Sequence, residues 1–221
     1  MHTLDGLAPG AGLAGAWCNS SLAATALLEA MSFATPPLER FFIRTVRDSL
    51  RRGPESAATL RAREFVREES SHSAAHRRLN QALAGHLGRT PPGLERVEAI
   101  LDFAARRLPL PVRLLSVEVM EQGSALGSAA YLWCERRADF DCAYARQLFA
   151  QHAREEMGHS TVIRELRGAA PARGLPVKAV ACALTALAGI AYLAVAVPWI
   201  MMRKRRLRRP RQVGAHERGD M

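Results

Sequence analysis

Cysteine gives this 221-residue chain no scaffold. The four cysteines (Cys18, Cys134, Cys142, Cys182) form neither a Cys-x-x-Cys pair nor a regular framework, so they read as reduced thiols rather than as disulfides. Aromatic residues are scarce as well, at 6%, and β-branched runs are short, which leaves little to build a sheet from. No Lys or Arg precedes Arg40, and the apolar runs before it are broken by Gly and Pro, so the N-terminus does not read as a secretory signal. Much of the net charge of +10 also leaves the body of the chain once it is located. Segment 203–221 holds eight Lys and Arg against Glu217 and Asp220, which is +6 of the total, and the remaining +4 is an ordinary solvated surface. A nucleic-acid-binding domain is not indicated.

Alanine, leucine and arginine dominate what is there, and the expectation is an all-α chain. Residues 1–20 are rich in Gly and Ala and read as loose, and a bundle is expected over 21–170. A short helix is expected over 21–33, ending before Pro36-Pro37, with helix one proper over about 38–51. Gly53-Pro54 precedes a long second helix, to about 87, and an amphipathic connecting helix follows over about 94–107. Helices three and four then cover about 112–135 and 139–166. Two hairpins joined by a crossover is the connectivity of ferritin-like four-helix bundles.

Two stretches carry the chemistry. In the first, Glu69, His72 and His76 stand at i, i+3 and i+7, one helix face, beside Phe65, Leu79 and Leu83. The second repeats the pattern: His152, Glu156 and His159 share a face, with Glu155 at its edge and Leu148, Phe149, Val162 and Ile163 around it. Carboxylates and imidazoles on core-facing stripes are rarely buried unless paired or bound to metal. Carboxylate-bridged two-metal sites in ferritin-like bundles take a Glu-x-x-His from each of two helices and one Glu from each of the other two. Helix one offers Glu39; helix three offers Glu118 or Glu121, one turn apart. Four carboxylates and two imidazoles neutralise two divalent ions and suit iron best, with manganese and zinc admissible. His76, His152 and Glu155 lie one turn from the ligands or beside them, and are expected to contact substrate or to move protons rather than to bind metal.

The segments Pro37-Leu38-Glu39-Arg40-Phe41-Phe42-Ile43-Arg44, Glu69-x-x-His72-x-x-x-His76, Glu121 and His152-x-x-Glu155-Glu156-x-x-His159 resemble, in order and spacing over about 25–162, the bacterial predicted metal-dependent hydrolases. The resemblance implies Glu121 rather than Glu118 as the helix-three ligand, and a set of Glu39, Glu69, His72, Glu121, Glu156 and His159, with Glu118 and Arg44 around it. It also shows departures: Glu68 stands where Gln is usual, Gln122 where His is usual, and Gly158 where an acidic residue precedes the last His.

From 179 to 202 the chain carries no charge for 24 residues, long enough to cross a bilayer. Segment 177–202 is therefore expected to be a single transmembrane helix, and Arg203, Lys204, Arg205 and Arg206 in the basic tail 203–221 to meet anionic lipid headgroups. The positive-inside rule would send the bundle outside, yet nothing at the N-terminus would export it, so a cytoplasmic domain is expected. The function expected is a membrane-associated dimetal hydrolase acting on a small, acyl or lipid-like molecule through activated water. The alternatives are an O₂-activating di-iron oxidase or oxygenase and, more weakly, non-catalytic iron binding.

Overall fold

The computed structural model describes Leu4 and residues 6–52, 54–168 and 175–208, with side chains of the last segment described from 187 to 207. Six helices follow in order: α1 (Leu22–Leu50), α2 (Ala57–Leu87), α3 (Leu94–Arg107), α4 (Leu110–Glu135), α5 (Ala143–Arg167) and α6 (Leu175–Arg208). Among the described residues the only β pairing is an isolated bridge between Cys18 and Phe140. Helix α1 packs on α2, α2 on α5, α5 on α4 and α4 on α1, which closes a ring of four, while α3 crosses over against α1.

The helix starts follow from their caps. Ser21 Oγ accepts the Ala24 N–H at 3.2 Å, and Ser56 and Thr59 exchange side-chain and backbone bonds in a capping box ahead of α2. Helix α2 ends at Gly88, whose φ of 81° is left-handed.

The break expected at Pro36-Pro37 is absent: both prolines lie inside one continuous helix of 29 residues. Pro36 has no N–H to give the Ser32 carbonyl. Asn80 of α2 supplies the missing donor, its Nδ2 bonding Ser32 O at 2.9 Å. A side chain from the neighbouring helix thus carries α1 past the prolines.

Residues 8–20, expected to be loose, are instead packed. Leu13 and Trp17 are fully buried, Asn19 N donates to Asp139 O at 2.8 Å and Asp141 N to Trp17 O at 2.9 Å. Gly12 makes this possible: it sits at φ 80°, and a Cβ there would lie 2.2 Å from Asp141 O. Residues 139–142, expected in the fourth helix, are used by this pairing, so α5 starts after Cys142.

Helix α6 is long and apolar enough to cross a membrane, but one of its faces is docked on the bundle. Tyr192, Ala196, Ile200 and Lys204, each one turn apart, are buried. Tyr192 Oη donates to Ala30 O at 3.0 Å, and Arg203 Nε and Nη2 bond Leu87 O, the last carbonyl of α2, at 2.9 and 2.6 Å. Lys204, expected at a lipid surface, is 2% exposed and fully engaged. Its Nζ reaches Leu13 O at 2.8 Å, Gly15 O at 2.9 Å and Glu29 Oε1 at 2.6 Å, and Glu29 Oε1 also accepts from Trp17 Nε1 at 2.7 Å. An ammonium this deep needs all three partners. Residues 209–221, most of the expected basic tail, lie outside the described residues, as do the side chains of 177–186.

Candidate metal centre

Glu39 of α1, Glu69 and His72 of α2, Glu121 of α4 and Glu156 and His159 of α5 are all buried, none more than 4% exposed. Two groups emerge whose ligand atoms lie within 4.8 Å of one another: Glu39, His72 and His152, and Glu69, Glu156 and His159. His159 Nδ1 stands 3.1 Å from Glu69 Oε1, 3.4 Å from Glu156 Oε1 and 3.6 Å from Glu121 Oε2, so Glu121 joins the second group. Two carboxylates link the groups. Glu69 Oε1 also lies 3.4 Å from His72 Nδ1, and Glu156 Oε1 lies 2.9 Å from His152 Nε2.

The unpartnered atoms test whether metal fits. Both oxygens of Glu39, Glu69 and Glu121, Glu156 Oε2, and Nδ1 of His72 and His159 are buried without a hydrogen bond. Buried polar atoms in native proteins are almost always satisfied. Nine converging atoms on six residues from four helices, within ion-pair distance but not aligned to hydrogen-bond one another, form a donor set that could hold metal.

Each Nδ1 is aimed inward because the other ring nitrogen is held. His72 Nε2 bonds Glu155 Oε2, and His159 Nε2 bonds Glu68 Oε2 at 3.2 Å. A carboxylate on the far nitrogen fixes the tautomer and ring angle of a ligating His. The exchange is reciprocal: α5 holds the imidazole of α2, and α2 holds that of α5. Glu155, expected beside the site, therefore contacts a ligand directly. Glu68 was legible only as a departure from the family's usual Gln. The signal that finds it is the repeat itself, Glu68-Glu69-x-x-His72 and Glu155-Glu156-x-x-His159.

A second chain of bonds orients His152. Asn80 Nδ2 faces Ser32 O, so Asn80 Oδ1 accepts the Ser32 hydroxyl proton at 2.7 Å. Ser32 Oγ must then accept from His76 Nδ1–H at 2.9 Å, and His76 Nε2 accepts from His152 Nδ1–H at 2.9 Å. His152 Nε2 is left pointing at Glu156, inside the cluster. His152, expected to contact substrate or move protons, is grouped with Glu39 and His72 as a residue that could hold an ion, and His76 stands behind it.

Charge without metal follows from burial and neighbours. Burial, reinforced by nearby carboxylates, pushes Glu39 and Glu121 well above the usual carboxylate range. Burial works against the charge on His159, but Glu156 and Glu69 push it up to about 11; His72, opposed in the same way, is pushed up to about 9 by Glu155 and Glu69. Glu156 and Glu69 move down, their desolvation outweighed by His152 and His159 for the first and by His159 and His72 for the second. Burial holds His76 neutral, well below the ordinary imidazole value. Protonated imidazoles thus stand where cations would.

Two expected residues lie elsewhere. Arg44 is exposed and lines a cleft between α1 and α3 with Glu98 and Asp102. Glu118 is buried but bound by Arg167 Nε at 2.8 Å and Arg164 Nε at 3.4 Å, one turn from Glu121.

The family described as predicted metal-dependent hydrolase matches residues 9–218. The chain belongs to that family. The match takes in the N-terminal segment and α6 together with the ring of four helices. No curated protein and no solved structure matches the chain.

Proposed function

We propose that this hydrolase-family chain is a two-metal enzyme of ferritin-like connectivity. The observation that carries the reading is the set of nine buried nitrogen and oxygen atoms, converging from four helices, that have no aligned hydrogen bond and whose ion pairs stay within the cluster. Glu39, His72 and His152 would hold one ion, and Glu69, Glu121, Glu156 and His159 the other, with Glu69 and Glu156 between them. Ions held there would supply Lewis acidity toward a carbonyl or phosphoryl oxygen and a water of lowered pKa. The chain's own part is to hold the ligands and to carry protons. Glu155, one-third exposed and bonded to His72 Nε2, connects the buried cluster with solvent. Gln151 Nε2 steadies the other Glu155 oxygen at 3.2 Å. Glu68, equally exposed, is the matching outlet at His159 Nε2. Phe65 packs edge-to-face with His159, ring centroids 4.8 Å apart, and Phe149 with His76, so the two core clusters brace the imidazoles from behind.

A second reading, O₂-dependent oxidation at a di-iron pair, is favoured by one feature: four of the seven inward ligands are carboxylates, a hard set suited to iron. One experiment separates the readings. The purified protein is assayed for bound metal, exposed to O₂ in its ferrous form and offered acyl esters. Ester cleavage supported by manganese or zinc without O₂ uptake establishes hydrolysis. Stoichiometric O₂ uptake by the ferrous protein with no ester cleavage establishes oxidation, and accumulation of many irons per chain refutes both.

A further inference from the structure

We propose that α6 is an interfacial membrane element that stays docked on the bundle and lays its outward face on an anionic bilayer. The proposal is independent of the metal reading. The helix has two faces of opposite use. The inward face is committed to protein: Tyr192 to Ala30, Arg203 to Leu87, and Lys204 to Leu13, Gly15 and Glu29. The outward face is apolar although it meets no protein, with Leu187 62%, Ile190 64%, Val195 50% and Met202 50% exposed. No charged residue interrupts it from 187 to 202. A solvent-facing helix is normally polar on that side.

Two facts choose the occupant. The apolar strip ends at Arg205 and Arg206, both exposed, which suits a hydrocarbon boundary edged by phosphate headgroups. A bilayer span would surround the whole helix with lipid and would have to strip Lys204 from Glu29, or else bring α1, the end of α2 and the N-terminal strap into the membrane with it. Side-on docking keeps every one of these bonds.

The test uses the full chain and vesicles of phosphatidylcholine with or without phosphatidylglycerol. The protein is expected to sediment with the phosphatidylglycerol vesicles and to be released by an alkaline carbonate wash, which frees surface-bound proteins but not spanning ones. Arg205→Glu with Arg206→Glu is expected to lower sedimentation several-fold with helicity and metal content unchanged. Val195→Glu with Met202→Glu is expected to abolish it; if that pair fails to fold, the arginine pair, exposed and remote from the docked face, still decides. Three results overturn the proposal. They are failure of the wild-type chain to sediment, sedimentation that resists carbonate, and a soluble dimer that Val195→Glu dissociates, which would make a second copy the occupant.

Discussion

If protonated imidazoles occupy the places of cations, loading metal must expel protons. Against the effect of burial, Glu155 and Glu69 push His72 up to about 9 and Glu156 and Glu69 push His159 up to about 11, so at pH 7 both carry a proton that a ligating nitrogen must lose. At about 1.4 kcal/mol per pKa unit, displacing them at pH 7 costs about 3 and about 5 kcal/mol. Between pH 6 and 8 both remain protonated, so the combined affinity for two ions is expected to rise about a hundredfold per pH unit. Glu39 and Glu121, raised by burial, add to the release. Titrating the metal-free protein with manganese by calorimetry at pH 7, in two buffers of different ionisation enthalpy, counts the protons directly. Two or more per chain is the expected result. A buffer-independent heat, with affinity flat across that pH range, would refute the arrangement of imidazoles and carboxylates described above. The same shifts predict stability. Because both imidazole pKa values are raised on folding, their contribution is complete below about pH 6.5 and is lost as pH rises, first through that of His72 and then through that of His159. Thermal melts of the metal-free protein should show this loss from about pH 6.5 upward, and melts of the loaded protein should not.

Other substitutions probe single contacts. Glu155→Ala is expected to weaken metal binding about 10- to 100-fold by freeing His72 Nε2, while Glu68→Gln, whose amide oxygen still accepts from His159, should bind nearly as wild type; chelator competition measures both. Asn80→Leu removes the donor that serves Ser32 O and should destabilise the fold by about 1–3 kcal/mol in denaturant titrations. Lys204→Met strips the buried Glu29 of its counter-ion and leaves it only the Trp17 Nε1 bond, with an expected loss of about 3–5 kcal/mol. Adding Glu29→Leu should restore part of it, whereas a Lys204 that merely touched lipid would leave soluble stability unchanged.

The helix boundaries were legible in the sequence because Ser21, Gly53-Pro54, Gly88 and the prolines after it act locally. The continuity of α1 was not, since the Pro36 gap is filled by Asn80, a residue 44 positions away from it. Glu69, His72, Glu156 and His159 were legible because helical spacing puts each on an inward stripe, whereas spacing left Glu118 and Glu121 alike and only the resemblance selected Glu121. His152 obeys the same spacing, but only the bond network through Ser32 and His76 shows which of its nitrogens points inward. Arg44 rested on resemblance alone, and it lies outside the cluster. Composition alone reads segment 177–202 as a single transmembrane helix. Composition does not register a docked face, because the inward residues Ala196 and Ile200 are as apolar as the outward ones, and Lys204 looked like one more charge in a basic run.

The duplicated Glu-Glu-x-x-His makes the two hairpins near twins, yet the twins differ at one informative pair of positions. Four residues before the ligating Glu, α5 carries His152 where α2 carries Phe65. One ion would therefore have two imidazoles and Glu39 to itself, its neighbour one imidazole and Glu121, with Glu69 and Glu156 between the two. Such a pair would be chemically unequal from the start. Its members would fill in sequence rather than together, and a mixed occupancy of two different elements becomes a state the protein can favour by itself.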